Sequence, residues 1–185
     1  MSETAVMNLI LTGLRGTGKS SLGRRLALSL RRPFFDTDVL IEQQMGEPIP
    51  RLVGRVGWDA FRDLEHQVIC QLAHQRGSVI SSGGGTLTFA RNVEVLKPHG
   101  IIILLTADPV TLARRLARSY ARPPLTDQAN LAAEMCALWT QREPLYRQVC
   151  DVVLGVDSES ADQEADLQSK VSALLTLLRP YLGDT

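Results

Sequence analysis

Eight consecutive residues, Gly13-Leu14-Arg15-Gly16-Thr17-Gly18-Lys19-Ser20, stand between a short apolar run (6–11) and a segment of helical periodicity (19–30). Glycines at this spacing let the backbone curl around an anion so that successive amide hydrogens point inward. The helix that follows presents its positive end to the same anion. Lys19 supplies a mobile point charge for β- and γ-phosphates, and the Ser20 hydroxyl suits a magnesium ion. Gly16, Thr17, Gly18, Lys19, Ser20 and Ser21 are therefore the expected nucleotide-binding residues. A glycine-rich turn with an incidental lysine is the bland alternative, and the strand-before, helix-after context argues against it. A dinucleotide fingerprint fits poorly, because Ser21 stands where that pattern needs Gly or Ala.

The rest of the chain alternates in the same way. Within 19–30, Leu22, Leu26 and Leu30 share one face, with Arg24, Arg25 and Arg31 outside. Pro33 interrupts, and Phe34-Phe35 makes a short strand. Residues 78–81, 101–105 and 152–154 read as buried strands. Helical patterns cover 60–75, 108–118, 131–145 and 164–178. Strand and helix alternating in this order predict an α/β fold with three layers: a parallel sheet of about five strands with helices on both faces. The least regular stretches, 46–57 and 119–130, both contain Pro and are expected to be a substrate-binding insert and a lid. The polar, acidic segment 157–166 reads as a solvated turn before a last helix.

Length and composition limit the partners. The 185 residues suit one domain, and 44% hydrophobic with 22% charged residues is ordinary for a globular chain. Lys plus Arg equals Asp plus Glu at 20 each, so no basic excess points to nucleic acid. Within the bases, 17 are Arg and only 3 are Lys, and one of those lysines falls inside the glycine-rich motif. No apolar stretch approaches the roughly 20 residues that span a bilayer. The first residues, MSETAV, lack the basic start and apolar core of a signal peptide. Cys70, Cys136 and Cys150 form no C-x-x-C pair or Cys/His cluster, and His66, His74 and His99 carry no pattern. The expectation is a cytosolic monomer that contacts neither nucleic acid nor membrane.

A phosphate loop implies a nucleotide donor and leaves the acceptor open. No N-K-x-D of a signalling GTPase follows. The next chemical feature is Asp36 and Asp38 in Phe35-Asp36-Thr37-Asp38, which alone reads equally well as a helix cap. It is followed by Asp38-x-x-Ile41-Glu42-x-x-x-Gly46-x-x-Ile49, then Phe61-Arg62-x-x-Glu65, Gly83-Gly84-Gly85, Arg122-Pro123-x-Leu125 and Arg142-x-x-x-Tyr146. In this order and spacing, over nearly the whole length, the chain resembles shikimate kinase. Each later motif is weak singly; five in register are specific.

The resemblance implies a P-loop kinase domain over residues 1–185, with a substrate-binding insert at about 38–65 and a lid at about 116–130. It implies transfer of the ATP γ-phosphate to the 3-hydroxyl of shikimate, with magnesium. Lys19, Asp38 and Arg122 would be the catalytic residues. Asp38 would orient the attacking hydroxyl, and Arg122 would come over the γ-phosphate from the lid. Arg62 and Arg142 would clamp the acceptor carboxylate, since a planar guanidinium matches it bidentately. Gly83, Gly84 and Gly85 would let backbone approach the ring. Ser20 and Asp36 would hold the metal, and Arg115, favoured over Arg118 by spacing, would stack on adenine.

Taken alone, Arg62 and Glu65 at i,i+3 are an ordinary surface ion pair; within the resemblance Glu65 buttresses Arg62. Trp139 reads as core. Departures from the family pattern are Gly57-Trp58, Val53 in place of a common Phe, and Pro48 and Pro50 around Ile49, which stiffen a stretch expected to move. A gluconate kinase, another small-molecule P-loop kinase and a catalytically silent nucleotide-binding relative are the alternatives. The last should have lost Lys19, Asp38 or Arg122, and all three are present.

Overall fold

In a computed structural model of the chain, residues 6–117, 130–158, 160 and 162–182 are described. The expected alternation is present. Five parallel strands, β1 (Asn8–Thr12), β2 (Phe34–Asp36), β3 (Val79–Ser81), β4 (Gly100–Thr106) and β5 (Val152–Gly155), lie in the order β2-β3-β1-β4-β5. Register pairs Ile10 with Ile80 on one side of β1 and with Ile102 on the other. Period-two alternation then divides the core between the two faces. Leu9, Leu11 and Ile103 pack with α1 (Lys19–Leu30), α6 (Leu131–Val149) and α7 (Gln163–Leu182). Ile10, Ile80 and Ile102 pack with α2 (Thr37–Met45), α3 (Ile49–Ala73) and α4 (Ala90–Leu96). A further helix, α5 (Pro109–Ala117), follows β4 and joins the first of these layers. Trp139, expected in the core, is partly buried against its edge.

The strand order reverses beside β1. In open α/β sheets that switch point, at the carboxyl ends of the strands, is where ligands bind. Here it is formed by the glycine-rich loop after β1, Asp36 at the end of β2 and the Ser81–Gly85 stretch after β3. Gly13 is obligatory in this crossing. Its φ is 134°, and a Cβ there would sit 2.3 Å from the carbonyl oxygen of Leu105 on β4.

Several boundaries differ from the sequence expectation. Residues 46–57, expected to be irregular, are largely helical, because α3 begins at Ile49 and runs to Ala73. Pro48 is extended at its N-cap and Pro50 lies in its first turn, where a missing N–H costs nothing. Glu42 completes the start by accepting the Ile49 amide at 2.9 Å. The prolines thus begin a helix rather than stiffen a loop. Gly57 (φ 82°, ψ 169°) breaks the helix into two arms. α2 and α4 lie outside the helical stretches expected above, and α6 runs past Pro144 to Val149. The lid segment lies almost wholly outside the described residues. Only its flanks are seen, Leu116 and Ala117 in α5 and Asn130 capping α6 through an Ala133 amide bond of 2.9 Å.

Candidate active site

The phosphate loop has the geometry its composition calls for. Gly16 and Gly18 have φ of 85° and 82°, and Gly18 precedes α1 with no side chain capping the helix. The first-turn amides of α1 therefore face the loop. Lys19 is buried and donates to the carbonyls of Gly13 and Leu14, both at 3.0 Å. The Thr17 hydroxyl ties the loop together by donating to the Leu14 carbonyl at 2.8 Å. Ser20 and Ser21 stand exposed in the first turn.

Asp36 uses its two carboxylate oxygens differently. Its Oδ1 caps α2 by accepting the Asp38 amide at 3.1 Å, an arrangement worth about 1 kcal/mol to a helix. Its Oδ2 accepts the Ser20 hydroxyl at 2.5 Å. A hydroxyl and a carboxylate oxygen side by side at the phosphate end are the hard donors that a magnesium ion takes. The donor set fits that metal.

In the first turn of α2, Asp38 lines an open cavity shared with Leu14, Arg15, Ile49, Val53, Trp58, Phe61, Arg62, Glu65, Gly83 to Gly85, Leu138 and Arg142. The two distant guanidiniums and the carboxylate are thus gathered beside the phosphate loop. Arg62, on the second arm of α3, donates to Glu65 Oε2 at 2.7 Å, and Glu65 is 1% exposed. The Thr86 hydroxyl satisfies the other oxygen, Oε1, at 2.6 Å. This is the buttress that the resemblance implies, and it is buried where the i,i+3 spacing alone suggests a surface pair. Trp58, Phe61 and Phe89 surround the guanidinium, with its carbon 5.5, 5.2 and 5.2 Å from their ring centres. Trp58 also meets Phe61 edge-on at 5.7 Å, so the departure at that position builds a cavity wall.

Arg142, from α6, donates to the Gly84 carbonyl at 3.0 Å, and the Tyr146 hydroxyl donates to the same oxygen. Burial pushes the Tyr146 phenol above its ordinary pKa, against the opposing pull of Arg142. Side chains on Gly83 or Gly85 would crowd the residues of the clamp. A Cβ on Gly83 would lie 2.9 Å from Glu65 Oε1 and 3.0 Å from Asp38 Oδ1, and one on Gly85 would lie 2.7 Å from Arg62 Nη2.

Of the two arginines expected at the nucleotide, Arg122 lies outside the described residues. Arg115, on α5, reaches beyond β5, donating to the Val156 carbonyl at 2.8 Å. The sequence reading did not single out Arg15 and Glu134, whose side chains pair at the junction of the phosphate loop and the first turn of α6. Thr86, Phe89 and Leu138 were also passed over. Glu134 and Thr86, at 3% and 0% exposure, are polar residues whose burial only the fold reveals.

A parallel sheet ordered 2-3-1-4-5, a phosphate loop closing β1 and an acceptor cavity abutting that loop define the class as P-loop kinases. The Shikimate kinase family model matches residues 15–174, most of the chain. The protein belongs to the shikimate kinase family and, as a member, is an ATP-dependent kinase. A shikimate kinase of Syntrophus aciditrophicus is 38% identical, with 89% of this chain and 90% of the relative covered. The crystal structure of shikimate kinase from Bacteroides thetaiotaomicron superposes with a TM-score of 0.83 at 30% identity, covering 93% of this chain and 98% of that one. Shikimate kinase from Acinetobacter baumannii, solved in complex with shikimate, gives 0.78 at 33% identity over 92% and 94%. A gluconokinase from Sinorhizobium meliloti, at 18% identity and a TM-score of 0.55, shares the fold alone.

Proposed function

We propose that this chain transfers the γ-phosphate of ATP to the 3-hydroxyl of shikimate, giving shikimate 3-phosphate and ADP for aromatic amino-acid biosynthesis. The observation that carries the assignment is the cavity in which Asp38, Arg62 and Arg142 meet next to the phosphate loop. Shikimate is a small ring with one carboxylate and three hydroxyls. The two guanidiniums match the carboxylate, and the aromatic wall around Arg62 matches a compact ring. The relative solved with shikimate bound, 33% identical, supports the same acceptor.

The residues divide the work by position. Arg62 and Arg142 hold the acceptor carboxylate, and the backbone of Gly83 to Gly85 lets the ring come close. Asp38 then orients the 3-hydroxyl and takes its proton as the oxygen attacks the γ-phosphorus. Gly16, Thr17, Gly18, Lys19, Ser20 and Ser21 bind the triphosphate. Lys19 exchanges its carbonyl partners for phosphate oxygens and stabilises the charge spread over them during transfer. Ser20 and Asp36 would hold magnesium, which screens the phosphate charge there. Arg115 flanks the adenine site, and Arg122, on the lid of about 116–130, covers the γ-phosphate and helps exclude water. We assign the chain a single domain acting as a cytosolic monomer.

The assignment is tested by following ADP release with shikimate, gluconate and AMP offered in parallel. Rapid turnover is expected with shikimate only; turnover with gluconate alone overturns it. Within the cavity, Gly85→Ala is expected to raise the KM for shikimate about tenfold, because the new methyl displaces the Arg62 guanidinium. The KM for ATP should stay unchanged, and steady-state kinetics with each substrate varied in turn checks both.

A further inference from the structure

Outside the cavity, α3 and α4 bring together a thiol, an imidazole and an amide that the chemistry above leaves unused. Cys70 and His66 are one helical turn apart on α3, with Sγ 3.6 Å from Nε2. The other ring nitrogen, Nδ1, lies 2.7 Å from Oδ1 of Asn92 on α4. Asn92 is 1% exposed, and its Nδ2 donates to the Thr86 carbonyl at 2.8 Å. That bond fixes which way the amide points, so Oδ1 accepts and His66 Nδ1 carries the proton. The lone pair of Nε2 is then turned towards the Cys70 thiol. Cysteine, base and orienting amide in this order are the elements that make a thiol nucleophilic.

The chain of contacts continues into the acceptor clamp. Thr86, whose carbonyl receives the Asn92 amide, donates its hydroxyl to Glu65, and Glu65 holds Arg62. The other two cysteines lack this setting. Cys136 is exposed on α6. Cys150 donates to the Arg147 carbonyl at 3.7 Å, and burial pushes its thiol above the ordinary pKa.

We propose that Cys70 is a modification site for small-molecule disulfides, with His66 as its base and Asn92 as the orienting group, and that its modification is felt at Arg62. His66 Nε2 takes the Sγ proton and the thiolate attacks one sulfur of the disulfide. A Cys70–sulfur bond forms as the reagent's own S–S bond breaks. The departing thiolate then recovers the proton from the imidazolium, so Cys70 is oxidised as the leaving half is reduced. Partial exposure of Cys70 gives a small disulfide access.

The experiment uses the full chain carrying Cys136→Ser and Cys150→Ser, so that Cys70 is the sole thiol. Oxidised glutathione and an aromatic disulfide are added at neutral pH, and thiol release and chain mass are followed. One adduct per chain is expected, forming at least about tenfold faster than after His66→Gln, the scale on which a positioned base acts. His66→Asn provides a second reading, and circular dichroism verifies that each variant is folded. Equal rates with and without the imidazole overturn the site. A second arm, which rests on the function proposed above, compares kinetics before and after modification. The adduct should raise the KM for shikimate about threefold or more, leave that for ATP unchanged and be reversed by dithiothreitol. An unchanged KM for shikimate overturns the coupling. Thiol release is read without any kinase assay, so failure of the kinase assignment and failure of the thiol site remain distinguishable.

Discussion

Asp38→Asn is expected to lower phosphoryl transfer to shikimate on the order of 10²–10⁴-fold, the range lost when a positioned acid or base is removed. The amide keeps the shape of the side chain and can still meet a hydroxyl, yet it cannot take the proton of the attacking oxygen. ATP affinity should be preserved, because the carboxylate that meets Ser20 belongs to Asp36, while Asp38 lines the acceptor cavity. Single-turnover measurement of transfer beside equilibrium titration of the nucleotide separates the two effects. Wild-type turnover would remove Asp38 from the chemistry. A parallel loss of nucleotide affinity would mean that it belongs to the metal site instead.

The second large effect is expected for Arg62→Ala, which should reduce kcat/KM for shikimate on the order of 10²–10³-fold, mostly through KM. Two losses combine. The acceptor carboxylate loses one arm of its clamp, and Glu65, 1% exposed, keeps the Thr86 hydroxyl alone as a side-chain hydrogen-bond partner among the described residues. A buried carboxylate stripped of its cation is costly, so the thermal midpoint should fall as well. Arg62→Lys should restore little, since an ammonium cannot present two parallel donors to a carboxylate. An unchanged KM for shikimate in the Ala variant would show that the carboxylate is held elsewhere.

The features legible in the sequence were those with strong local signatures. The phosphate loop is continuous, so its glycines, lysine and serine announce themselves. The strands β1, β3 and β4 are buried on both faces and read as mostly apolar runs, as at Ile101 to Leu105. The resemblance added Arg62, Arg142 and the glycine triplet, which no spacing argument would have joined. α2 escaped notice because it starts directly from the Asp36 cap without a connecting loop and buries only Thr37 and Ile41. α4 is seven residues long, too short for its period to register. Around Ile49 the sequence suggests prolines that stiffen an irregular stretch, yet Pro50 in a first helical turn is a start signal. The helical pattern expected over 131–145 extends to Val149 in α6, where Arg142 and Tyr146 anchor the stretch around Pro144 to Gly84, and tertiary contacts outweigh propensity. The Arg15–Glu134 pair joins positions 119 apart, a distance over which nothing in the sequence marks one partner to the other.

The two layers of the core have a consequence for how shape is selected. Arg62 is mounted on a helix of one layer and Arg142 on a helix of the other, so the guanidiniums are like the jaws of a caliper whose frame is the sheet itself. The gap between them follows from how closely both layers press onto β1 and β3. Aliphatic positions outside the cavity lining, such as Ile80 and Leu9, therefore calibrate which molecules fit between the jaws.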